Sequence, residues 1–117
     1  MSVESRRSIK TAQLGMRELN FSFDGSDAAP AAASFDSLQI SSITKNAVGD
    51  YTIIFTRPFE LTPMAFCQVV GGSNRVVHIS AVDVDRVTIK TYRRDTGDAA
   101  DAELYVNVKG CDHRFNY

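Results

Sequence analysis

The chain has 117 residues, 44% of them apolar and 23% charged, with a formal net charge of −1 at pH 7. That length suits one domain with a modest core and leaves no room for a second. The even charge balance argues against a dedicated nucleic-acid binder, whose binding face is strongly basic, and no run of about 18 apolar residues is present to cross a membrane as a helix.

The first residues, MSVESRRSIKTAQ, lack the apolar stretch of a secretory leader, so neither export by that route nor membrane anchoring is expected. Residues 1–18 set Arg6, Arg7, Lys10 and Arg17 against Glu4 and Glu18, with Ile9, Leu14 and Met16 at no helical or strand period. This reads as an N-terminal arm. Its cations can pair with carboxylates and its apolar side chains can be buried on a partner, so Arg6, Arg7, Ile9, Lys10, Leu14, Met16 and Arg17 form the candidate partner-binding set. A short strand, LNFSF (19–23), follows. The stretch SDAAPAAAS then offers small residues and Pro30, and reads as a loop with little to pack.

From Phe35 onward, short strands alternate with turn signals at intervals suited to an antiparallel sandwich or barrel. The spacing predicts strands at 37–44, 51–56, 64–70, 75–82, 85–94 and 102–110, which with LNFSF make seven. In GDYTIIFTRPF (49–59), Tyr51, Ile53 and Phe55 fall on one face of a pleated strand, Gly49 suits a turn with positive φ, and Pro58 ends the ladder. The predicted inward sets are Tyr51/Ile53/Phe55, Val77/Ile79/Ala81, Val87/Ile89/Thr91 and Leu104/Val106/Val108, with Ala65, Cys67 and Val69 in one apolar phase. The expected organisation is an all-β, single antiparallel β-sandwich over 19–110, with the arm over 1–18 and a C-terminal tail over 111–117.

No chemistry stands out along this chain. His78 lies on a strand, and His113 sits with Cys111 and Asp112 in one cluster with too few ligands for a closed zinc site. The loop DTGDAADAE, carrying Asp95, Asp98, Asp101 and Glu103, does not match the calcium-loop spacing and reads as solvated. GGSN (71–74) joins two strands rather than opening a helix, so it reads as a hairpin turn and not a phosphate cradle. Cys67 and Cys111 make no disulfide framework and are expected as thiols. No nucleophile–base pair is marked, no catalytic residue is assigned, and neither a cofactor nor a metal is expected.

Ile43, Ala47, Gly49, Tyr51, Ile53 and Phe55 in SSITKNAVGDYTIIFTRPFE, a strand ending in VVGG, and Val106, Val108 and Gly110 closing VTIKTYRRDTGDAADAELYVNVKG form a pattern over residues 37–110. It resembles small β-rich structural proteins of tailed bacteriophages. That resemblance implies a non-enzymatic virion protein made in the host cytoplasm. The single module, with no fibrous repeat, favours a capsid decoration (cement) protein that binds the outer surface of the major capsid protein shell and stabilises it. By analogy with such proteins it would be a homotrimer, with neither nucleic acid nor membrane as partner. The alternative implied by the same resemblance is a tail-fibre or tail-tip module, with Tyr92, Tyr105 and Tyr117 as platforms for a receptor or glycan.

Overall fold

The computed structural model describes residues 16–33, 36–71 and 74–111. Seven strands run in chain order: β1 (Arg17–Asp24), β2 (Ile40–Ala47), β3 (Asp50–Phe55), β4 (Met64–Val69), β5 (Arg75–Val82), β6 (Arg86–Arg93) and β7 (Glu103–Gly110). They form two antiparallel sheets, β1-β7-β4 and β2-β3-β6-β5, which pack as an all-β sandwich.

Alternation explains both the strands and their packing. In β1, Leu19, Phe21 and Phe23 are buried while Glu18, Asn20 and Asp24 face solvent. In register, these three oppose Val108, Val106 and Leu104 of β7, which oppose Ala65, Cys67 and Val69 of β4 in turn. The facing sheet supplies Tyr51, Ile53 and Phe55 of β3 and Val87, Ile89 and Thr91 of β6, all buried. Phe23 meets Tyr51 edge to face with ring centroids 5.2 Å apart, which ties the two sheets across the core. Each such ring or branched chain, taken out of water, contributes on the order of 2 kcal/mol.

Four local expectations are corrected. Arg17 and Glu18, assigned to the arm, are the first two residues of β1 and pair with Gly110 and Lys109. Ala81 is exposed rather than inward, because a register shift between Ile79 and Ala81 changes the phase of β5 and brings Val82 onto the core instead. The segment from residue 37 starts with a single 3-10 turn, Ser37–Gln39, before β2. The small-residue loop does pack: Pro30 is buried, Ala32 lies against the core, and Ala33 exchanges backbone hydrogen bonds with Ser22 at 3.1 and 2.8 Å. With Asn20 N–H donating to Asp36 Oδ2 at 2.6 Å, that loop occupies the outer edge of β1, which would otherwise offer unpaired backbone groups.

Candidate interaction surfaces

The two ends of the sandwich differ in chemistry. At one end β1 begins and β7 finishes, Arg17 opposite Gly110, and β4 begins at Met64 opposite Lys109. Both terminal segments therefore leave from this end. It is closed by backbone bonds from Thr56 N–H to Gln39 O, Phe59 N–H to Val84 O and Glu60 N–H to Cys111 O, each 2.8 Å. Phe59 is buried there against Phe55, ring centroids 5.4 Å apart. Arg17 shares the inward phase of Leu19: its guanidinium carbon stands 4.1 Å from the centre of the Phe59 ring, and Nη2 donates to the Arg57 carbonyl at 2.7 Å. Cation–π attraction and a charge-assisted bond thus fasten this side chain to its own domain.

Around the same end four large apolar side chains stand in solvent: Met16 at 68%, Leu38 at 90%, Leu61 at 63% and Met64 at 64% exposure. Single exposed apolar residues are ordinary, but four at the end where a terminal segment departs offer apolar surface that a partner could cover.

The opposite end is held by a polar clasp centred on Asp101. Oδ2 accepts from Lys45 Nζ at 2.7 Å, and Oδ1 accepts from the Gly49 N–H at 2.8 Å. The Tyr51 hydroxyl lies 2.8 Å from Oδ1 and 3.1 Å from the Gly25 carbonyl. With one proton to give, it donates to the carboxylate, the stronger acceptor. Arg75 Nε donates to the Asp101 carbonyl at 2.8 Å, and the Thr91 hydroxyl donates to the Ala100 carbonyl. Burial pushes the Asp101 carboxyl up, but the Lys45 ammonium and the Gly49 and Tyr51 donors outweigh it and hold it below the ordinary carboxylate range. Asp101 is therefore a structural anchor, where the sequence pattern had placed it in a solvated acidic loop. Asp95 in the same loop pairs with Arg93 at 3.1 Å, and both are about half exposed. Among the described residues, no group of three His, Cys, Asp or Glu stands together to hold a metal ion.

The third surface is the outer face of β1-β7-β4. Register sets its rows as Met64–Lys109–Glu18, Phe66–Asn107–Asn20 and Gln68–Tyr105–Ser22. Phe66 and Tyr105 are each about half exposed, diagonal to one another, beside a depression of about 390 Å3 that Asn20, Gln68 and Asn107 also line. Asn107 Nδ2 donates to Glu18 Oε2 at 2.7 Å and to Asn20 Oδ1 at 2.6 Å, which fixes that amide in place.

Of the candidate partner-binding residues, Met16 stands exposed at the arm end, and Arg17 is built into β1. Arg6, Arg7, Ile9, Lys10 and Leu14 lie outside the described residues, as do His113 and Tyr117. Tyr92 is half-buried on β6, Tyr105 is exposed on β7, and His78 is exposed on β5. Cys67 is half-buried in the inward phase of β4, where burial pushes its thiol up to about 12 and removes its reactivity. Phe66 and Met64 went unassigned in the sequence reading. MAFCQVV is apolar in both phases of the pleat, and that doubling is the signal that an outer face is also meant to be covered.

Comparisons with protein-family models, with curated proteins and with solved structures return no match.

Proposed function

We propose that this chain is a non-enzymatic structural protein of a tailed-bacteriophage virion: a capsid decoration protein that binds the outside of the major capsid protein shell, as a homotrimer, and stabilises it. The observation that carries this reading is the arm end, where Met16, Leu38, Leu61 and Met64 stand exposed at the end of the sandwich from which a basic and apolar terminal segment departs. A body that presents one sticky end and an arm joins surfaces. A ligand that prefers the assembled shell stabilises it by RT ln(1 + [L]/Kd) at each site, and several contacts from one oligomer add avidity where the geometry matches. The sequence resemblance over residues 37–110 supports the same reading.

The test is binding to emptied, expanded phage capsids, followed by cryo-electron microscopy. Full-length protein should give ordered density at symmetry-related sites with its arm end toward the shell. Deletion of residues 1–15, which leaves β1 whole, should reduce occupancy at least tenfold. Bare shells, with the protein found at the tail of intact virions, would instead favour the tail-module reading. That second reading draws on Tyr105 beside Phe66 among three amide side chains, an arrangement suited to stacking a sugar ring and bonding its hydroxyls. Tyrosine-dependent binding to a glycan array would carry it.

A further inference from the structure

The outer face of β1-β7-β4 is apolar at its centre and acidic at its margin. Phe66 and Tyr105 stand half exposed, while Glu18, Asp24 and Glu103 set three carboxylates against the single ammonium of Lys109 on the same face. At a strand spacing of about 4.8 Å and a rise of about 3.3 Å per residue, three strands of six residues offer roughly 300 Å2. A stable protein–protein interface needs about 800 Å2 from each partner. A second sandwich set face to face therefore gains too little here, and a short extended segment fits.

The chain carries such a segment. Residues 1–15, MSVESRRSIKTAQLG, hold three cations (Arg6, Arg7 and Lys10) against one carboxylate, with Val3, Ile9 and Leu14 among them. They join the described structure at Met16, next to Arg17, whose pairing with Gly110 places the junction on the edge strand of this same sheet. Fifteen extended residues reach up to about 50 Å, against about 10 Å from β1 to β4. A tether that short gives an effective concentration of about millimolar, which favours the chain's own sheet over a neighbour's. The other terminal segment, DHRFNY at 112–117, leaves from the same end, but it sets Asp112 against Arg114 and brings no net positive side-chain charge.

We propose that residues 1–15 dock in cis across the outer face of the three-stranded sheet, with Ile9 and Leu14 against Phe66 and Tyr105 and the basic side chains toward Glu18 and Glu103. The proposal concerns the free protein and stands without the capsid reading. Joined to it, the docked arm becomes a resting form that a shell surface displaces.

Limited trypsin digestion of the full-length protein, read by mass spectrometry at Arg6, Arg7 and Lys10, tests this directly. Cleavage there should be at least tenfold slower than in a Phe66→Ser/Tyr105→Ser chain and in a Glu18→Lys/Glu103→Lys chain. The first pair leaves the core untouched because both side chains already face solvent, and the second keeps the apolar face intact. The protection should not change between low and high micromolar protein. Equal cleavage in all three chains overturns the proposal. Protection that grows with protein concentration overturns docking in cis in favour of a second copy. Loss of protection at Arg114 alone overturns it in favour of the C-terminal tail.

Discussion

Replacing Gly49 by alanine is expected to destabilise the fold by about 3 kcal/mol or more, a large share of the roughly 5–15 kcal/mol typical of a domain this size. Gly49 sits at φ 66°, in the turn between β2 and β3, where an L side chain costs about 1–2 kcal/mol on its own. Space adds the rest. A Cβ there would lie 2.9 Å from the Ala100 carbonyl oxygen and 3.0 Å from the Ala100 nitrogen, and closer still to the Thr91 carbonyl. All three are backbone atoms that cannot swing aside. The same residue donates its N–H to Asp101 and accepts from the Thr91 N–H at 2.8 Å, so any shift to relieve the clash breaks the clasp. Gly97 provides the control: its φ is 76°, but nothing lies within 4 Å of an added Cβ, and Gly97→Ala should cost only about 1 kcal/mol. Urea titrations of the two variants separate the effects, and equal losses would refute the packing argument.

Asp101→Ala is expected to cost about 3 kcal/mol at pH 7, since it removes three hydrogen bonds and leaves the Lys45 ammonium, only 16% exposed, without its partner. Asp101→Asn keeps the shape and acceptors for Gly49 and Tyr51, loses the charge pairing, and should cost about half as much. The pH dependence carries a sign. The carboxyl is held below its ordinary value in the fold, so its contribution is fully present above the unfolded value near 4 and is lost as pH falls through the lower folded one. Wild-type melting temperature should fall across that acid range, and the Asn variant should lack this component. Parallel acid profiles would rule the carboxylate out as the source. At the alkaline side, burial first and the Asp101 carboxylate second push the Tyr51 phenol up to about 12. Its neutral form is the one the fold holds, so that contribution is intact below about pH 10 and lost as pH rises toward 12. Tyrosinate absorbance from Tyr51 should therefore be delayed beyond pH 10, toward 12, as long as the protein stays folded.

The strands were legible in the sequence because their apolar residues alternate without interruption, as in Tyr51/Ile53/Phe55 and Leu104/Val106/Val108. Where alternation is broken by one extra residue, as at Ser80–Ala81, the pattern continues on paper while the chain bulges, and Val82 takes the inward place. A charge hid the start of β1: Arg17 occupies an inward position because an aromatic ring receives its guanidinium, a pairing that periodicity cannot display. The clasp was illegible for a related reason. Lys45, Tyr51 and Asp101 are fifty or more residues apart or on different strands, and only the sheet pairing brings them together. The outer face could have been found earlier, since Met64 and Phe66 interleave with Ala65 and Cys67 in a strand apolar on both sides.

The contrast between the two ends gives the molecule a direction in which to loosen. Around Phe59, cohesion comes mainly from rings and buried chain, and the carboxylates at that end, Glu18 and Asp85, make only solvent-exposed pairs with Lys109 and Arg86; around Asp101 it comes from a partly buried carboxylate, an ammonium and a phenol. Acid should therefore open the sandwich from one side. The β2–β3 turn and residues 94–102 would exchange their amide protons first, while the strand ends beside Arg17 and Gly110 stay closed. Low pH would thus relax the sandwich at one pole and leave it closed at the other.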